Sequence, residues 1–178
     1  MASPSLYSAS LYDFSRTHCD TITSISQEGH LHHWADKVQL IQVQLKELLH
    51  LAGHILFEYP VPNNESKADV IIFYRGLIFV VVFNVGENEY KEEDIALAHA
   101  LAQGLKAHHA ASLDKYIVPI VISTCAIPQG SDIHISPEGV FNTMLDNGDN
   151  LAALLEHFSN QFKADEIDAN AWEYCNSK

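Results

Sequence analysis

The sequence predicts an α/β domain with a central mixed sheet of about four to five strands flanked by helices. Three observations carry that expectation. Leu77 to Val85 (LIFVVVFNV) is an almost unbroken run of apolar, mostly β-branched or aromatic residues, as expected of a strand covered on both faces. Similar runs precede it at His54 to Tyr59 and Ala68 to Tyr74 and follow it at Tyr116 to Thr124. Trp34 to Leu51 and Leu151 to Phe162 instead space their apolar residues with a helical period, so helices are expected to pack on the sheet.

Taken in order, Tyr7 to Ser24 has a Ser-rich start with Leu11 and Phe14 apolar, and is expected to be a short helix. In Trp34 to Leu51, residues Val38, Ile41, Leu45, Leu48 and Leu49 share one face, while Gln39, Lys46 and Glu47 lie off it. Leu40 and Val43 also lie off it, which predicts cover on more than one side. Gly53 is expected to end this helix. HILFEY then forms a strand, stopped by Pro60, Pro62 and the turn pair Asn63-Asn64. Arg75-Gly76 turns the chain between the second and third strands, and Gly86 breaks the third.

Glu87 to Asp94 holds five carboxylates and one lysine, and is expected at the positive end of a helix reaching about His109. Within that helix Ile95, Ala98, Ala102 and Leu105 make a smooth face for the sheet. Pro119 in the fourth strand points to an edge position or a local irregularity. Ile133 to Ile135 is expected as a short further strand. Without the two weakest pieces the order is helix, strand, strand, strand, helix, strand, helix.

The chain of 178 residues fits one domain, with N-terminal helices over 1–53, the core over 54–124, and a strand, helix and acidic tail over 125–178. Apolar residues make up 47% and charged residues 19%, which excludes a disordered chain. The longest apolar run, Leu77 to Phe83, is too short to span a bilayer, so no membrane partner is expected. The start Met1-Ala2-Ser3-Pro4-Ser5 lacks the basic and apolar blocks of a signal peptide, and a cytoplasmic protein is expected. Cys19, Cys125 and Cys175 are odd in number and form no CxxC, which suits a reducing compartment and argues against zinc.

A formal charge of −13, with arginine only at Arg16 and Arg75 and eight scattered lysines, leaves no basic stripe for phosphates. Nucleic acid is therefore disfavoured as a partner. Eleven histidines would bring the chain close to neutral by about pH 5. His50 and His54 are four apart, which is metal spacing on a helix, but Gly53 intervenes and His54 starts a strand. His30, His32 and His33 cluster in a loop, and His108-His109 sit at a helix end where a cation suits the dipole. All are expected to be surface or capping residues. Cys125 is expected to be small and buried, since no histidine is placed to activate it.

One constellation carries chemistry. The stretch ILFEYPVPNNESKADVIIFYRGLIFVVVFNVGENEY, a helix, and then IVPIVISTCA resemble the restriction-endonuclease-like, or PD-(D/E)XK, nuclease fold. More narrowly they resemble the nuclease-like N-terminal domain that precedes a helicase in certain large bacterial proteins. W-A-D-K-x-x-L-I from Trp34 and A-W-E-Y around Trp172 also fit, so the resemblance spans nearly the whole chain. It implies an acidic pair on adjacent strands, Glu58 and Asp69, holding Mg2+, which activates a water oriented by a nearby lysine.

The third strand departs from the family's V-x-E-x-K-x-G. Val82 stands where the motif wants glutamate, Asn84 where it wants lysine, and Leu97 about where a helix glutamine is often found. Val82 and Asn84 are two apart and share a face, so Asn84 is expected to face Asp69 and Glu58 across a remnant pocket. Relocated groups are sought among Glu87, Glu89, Lys91, His99 and Lys67; alternatively, Asp69 serves only as a backbone cap.

The resemblance thus implies a catalytically inactive nuclease-like protein that binds an unknown protein partner, with no cofactor. The alternatives are a Mg2+-dependent nuclease with migrated residues and a passive nucleic-acid binder. No P-loop occurs in the chain. A free-standing product of a mobile or accessory gene is expected, and a homodimer is plausible.

Overall fold

A computed structural model describes residues 5–23, 34–48, 50–61, 64–130 and 132–173. Six strands form one mixed sheet in the order of the chain. They are β1 (Tyr7–Ser10), β2 (Gly53–Pro60), β3 (Lys67–Tyr74), β4 (Leu77–Asn84), β5 (Ile117–Ser123) and β6 (Met144–Asp146). The first four run antiparallel to their neighbours, while β4, β5 and β6 are parallel. The helices are α1 (Leu11–Arg16), α2 (Cys19–Thr23), α3 (Trp34–Leu45), α4 (Glu92–His108), α5 (Leu151–Phe162) and α6 (Ala169–Glu173), with a 3-10 turn at Ala110–Ser112.

Two apolar layers hold the sheet between helices. On one face Ile55, Phe57, Val70, Phe79 and Ile120 meet Leu11, Phe14, Val38, Ile41 and Phe158 from α1, α3 and α5. On the other, Leu56, Ile71, Ile78, Val80 and Val121 meet Ala98, Leu101, Ala102 and Leu105 of α4 and Trp172 of α6. The expected alanine face of α4 therefore lies against the sheet, and β4, the most apolar strand, is interior. Burying so many fully enclosed aliphatic and aromatic side chains, each worth roughly 1.5–3 kcal/mol, drives the fold. Arg75 (φ 50°) and Gly76 (φ 83°) both adopt the left-handed conformation, the two-residue turn whose twist matches a β-hairpin.

Several expectations from the sequence are corrected. Tyr7 to Ser24 is not one helix: Tyr7–Ser10 pairs with β2, with Tyr7 opposite Phe57. Ser10 then caps α1 by accepting the Asp13 N–H at 3.1 Å. A four-residue edge strand has too little period to compete with the helical pattern after it. Helix α3 stops at Leu45, well before Gly53, which opens β2. The expected second covered side of α3 holds for Leu40, which packs on the core beside Gly148, but not for Val43, which is 58% exposed.

Ile133 to Ile135 contributes only an isolated bridge between Ile135 and Phe141. The strand that completes the sheet is β6, a three-residue piece too short to read from its sequence. Strand β5 is interior despite Pro119. Ile117 directs its N–H away from β4, to the Gly139 carbonyl, and Pro119, two residues on, directs its nitrogen the same way. No bond to β4 is lost, and pairing with β6 begins only at Ile120. Both edge strands are short, which limits the ladder another chain could add. Among the described residues no helix is long and apolar enough to cross a membrane.

Candidate functional site

The ends of β2 and β4 and the start of β3 meet at the side of the sheet away from the Arg75-Gly76 turn, between the start of α3 and the first turn of α4. An open cleft of about 800 Å3 lies there, and Glu58, Asp69, Val82, Asn84 and Leu97 all line it. Five residues far apart in sequence thus meet in one place.

Glu58 has a left-handed backbone, φ 54°, which costs a residue with a Cβ about 1 kcal/mol. The conformation has a topological consequence. The β2–β3 register continues unchanged on both sides of it, Phe57 opposite Val70 and Tyr59 opposite Ala68, yet the Glu58–Asp69 pair between them is missing from the ladder. Phe57 and Val70 pack in one apolar layer, whereas Tyr59 and Ala68 pack in the other, where Leu56 and Ile71 already lie. Both strands therefore change face at this pair, and two carboxylates are left opposite one another at the cleft.

The neighbours of each group decide its chemistry. Asp69 accepts the Phe83 main-chain N–H on Oδ2 at 2.8 Å, and its Oδ1 lies 3.6 Å from Lys37 Nζ. Both oxygens are engaged within the protein. Glu58 is raised above its ordinary pKa, first by burial and then by the Asp69 charge, with Lys37 and Lys67 pulling partly the other way. Asn84 donates from Nδ2 to Asp94 Oδ2 at 2.9 Å, so it faces the first turn of α4 and holds that carboxylate. Val82 and Leu97 add apolar walls without any ligating atom.

The expected relocated groups separate. Lys67 and Glu87 line the cleft, but Glu87 pairs with Lys91 at 3.5 Å. Glu89 and Lys91 are not in the cleft wall, and His99 opens onto a separate groove with Ile95 and Thr143. Asp69 does bond a main-chain N–H, but that of Phe83 on the neighbouring strand rather than one in its own turn, and it pairs with Lys37 as well. Magnesium needs several hard oxygen ligands, and the donor set fits it poorly: the Lys37 ammonium 3.6 Å from Asp69 opposes a second cation, and a valine fills the third position. Among the described residues no three His, Cys, Asp or Glu side chains are grouped to hold a metal ion.

Lys37 is the residue the sequence reading missed. It is only 8% exposed and brings a cation to the cleft from α3. Its signal was its place on the apolar stripe, three residues after Trp34 and four before Ile41, where a lysine is out of pattern. Gln44 lies on the same stripe, and its Oε1 accepts the Ala152 N–H at 3.0 Å near the start of α5.

The histidine and cysteine expectations also change. His109 is buried at 1% exposure, stacks on Trp172, and has its pKa lowered by burial, so it is no dipole-stabilising surface cation. Cys125 is exposed rather than buried, because it sits in the turn after β5, its N–H bonded to the Glu87 carbonyl at 2.9 Å. His54 lies in β2 as expected. His30, His32, His33 and Cys175 lie outside the described residues. Comparison with protein-family models, curated proteins and solved structures finds no match to this chain.

Proposed function

We propose that this chain is a catalytically silent protein of the restriction-endonuclease-like, PD-(D/E)XK type that binds a protein partner. The order of β2, β3, β4, α4 and β5 agrees with that reading, as does the meeting of Glu58 and Asp69 beside Val82 and Asn84. The single observation that carries the loss of catalysis is the state of Asp69. One oxygen accepts the Phe83 N–H and the other lies 3.6 Å from the Lys37 ammonium, so a resident cation already offsets the charge a metal would need and opposes a second cation. The cleft lining also holds five carboxylates, Glu58, Glu65, Asp69, Glu87 and Asp94, against two lysines, Lys37 and Lys67. Such a lining repels phosphate, which leaves a protein surface as the occupant this reading favours.

Calorimetric titration with Mg2+ and Mn2+, run beside a plasmid-nicking assay, tests it. The expected result is no saturable heat and no nicking. Saturable binding together with cleavage that Asp69→Asn abolishes would instead make the protein a nuclease. A salt-dependent mobility shift with DNA or RNA at low ionic strength would point to passive nucleic-acid binding.

A further inference from the structure

A second buried polar cluster surrounds Trp172, in the same apolar layer that gives the cleft Val82 and Leu97. His109 follows α4 as its C-cap, its N–H bonded to the Leu105 carbonyl at 3.0 Å. Its ring stacks on the Trp172 indole at 4.1 Å between centroids and 31° between planes. Trp172 Nε1 donates to Ser112 Oγ at 2.8 Å, and Ser112 Oγ lies 3.2 Å from His109 Nδ1. Ser112 is fully buried, and its hydroxyl hydrogen has His109 Nδ1 as its acceptor. With the imidazole hydrogen assigned to Nε2, the chain runs one way, from indole N–H to hydroxyl to imidazole, and the hydroxyl hydrogen is used.

This arrangement has no room for a second proton. A proton on Nδ1 reverses the last bond and strands the Ser112 O–H donor in the interior. Nε2 is already buried without a hydrogen-bond partner of good geometry. The Trp172 backbone favours the charged ring slightly, but burial outweighs it, and no charged side chain contributes to the shift. Three described titratable groups on the surrounding elements have partners of their own. Asp168 accepts the Ala171 N–H at 3.1 Å, Lys106 is bonded to the Lys115 carbonyl, and Tyr59 on β2 packs its ring on Trp172. Attraction of an imidazolium for the indole face offsets only part of the cost of an uncompensated buried charge.

We propose that His109 is an acid-sensitive latch for the C-terminal helix α6: its protonation releases Trp172 and uncovers Tyr59 and Phe73 on the β2–β3 hairpin. Helix α6 is only five residues long, and Trp172 is its large apolar anchor, packed on Phe73 at 4.8 Å and Tyr59 at 5.0 Å. A helix this short has little stability of its own, so losing the anchor releases it while the sheet stays folded. Tyr59 adjoins Glu58, so the uncovered surface borders the cleft.

The test is an NMR titration of the full-length 15N-labelled chain from about pH 7.5 to about pH 4.5, across the unperturbed histidine range. The indole N–H signals of Trp34 and Trp172 are assigned through Trp34→Phe. The expected result is loss of the docked Trp172 signal on acidification, with the Trp34 signal and far-UV circular dichroism unchanged. His109→Gln keeps an acceptor for Ser112 without titrating here, and should hold Trp172 docked throughout. Should that variant fail to fold, the His109 Cε1–H titration in the wild type must coincide with Trp172 release. The latch is overturned by a Trp172 signal that stays docked to the acid end, by release in His109→Gln at the wild-type pH, by loss of both indole signals together, or by mismatched midpoints.

Discussion

Lys37 Nζ lies 3.6 Å from Asp69 Oδ1, joining the start of α3 to β3 across the mouth of the cleft. The side chains are 11% and 24% exposed, so the pair is shielded more than a surface ion pair and less than a core one. Removing one partner leaves the other's charge in a poorly solvated place. Asp69→Ala, which also strands the Phe83 N–H, should cost about 2–4 kcal/mol. Lys37→Met keeps the packing of the stem and should cost less, about 1 kcal/mol. Urea unfolding of both single variants and the double variant checks this, and a coupling energy near zero would show that the contact contributes nothing.

Glu58 carries two separable costs. Its left-handed backbone predicts that Glu58→Gly gains about 1 kcal/mol in the strain component. Its raised pKa makes ionisation unfavourable in the folded state. Stability lost through this group is therefore fully present above the folded pKa. It is recovered as pH falls through that value and gone below the unfolded one. Glu58→Gln should be more stable than wild type at neutral pH and equal to it near pH 4, read from thermal midpoints at the two pH values.

Val82 occupies the position opposite Asp69, one step beyond the Val70–Val81 pair, and is 5% exposed. Val82→Glu would place a third carboxylate beside Glu58 and Asp69 in a partly dry wall. The variant should be less stable than wild type by about 2 kcal/mol or more without metal, and its thermal midpoint should rise with Mg2+ or Mn2+ as binding to the folded state offsets the loss. A midpoint unmoved by millimolar metal would argue against any kinship between this cleft and a metal site.

Tyr74 anchors the far end of β3 by donating its hydroxyl to Glu156 Oε1 on α5 at 2.7 Å. Burial, followed by Glu156, pushes its pKa from 10.0 up to about 12. The folded state thus holds this proton more tightly than the unfolded chain, and the associated stability is present below pH 10.0 and lost as pH rises towards about 12. Tyr74→Phe should lower stability at neutral pH by about 1–2 kcal/mol and flatten this part of the alkaline profile. Denaturation midpoints measured across that interval would show it.

Much of the fold was legible because long segments carry their own period. The apolar run of β4, the alanine face of α4 and the heptad-like spacing of α5 each bury one surface only in the conformation they adopt. Short pieces were not legible. Tyr7–Ser10 and Met144–Asp146 are strands because β2 and β5 offer them ladders, and four or three residues cannot signal that alone. Pro119 read as a mark of an edge or a local irregularity, since a sequence does not say which neighbour a missing N–H would have faced.

For the site, it was the resemblance to the nuclease-like motif that singled out Glu58, Asp69, Val82, Asn84 and Leu97 as one group, and alternation along the strand added only that Val82 and Asn84 share a face. What those groups do was settled by contacts between distant segments. Lys37 reaches Asp69 across 32 positions, Asn84 turns to Asp94, and burial beside Trp172 and Ser112 lowers the pKa of His109. Sequence by itself determined which segments are helical or extended and which faces are apolar, since those follow from local sterics and period. Tertiary structure alone decided which polar groups are paired, strained or sealed from water, because charge and hydrogen bonding depend on whatever the fold brings within a few ångströms.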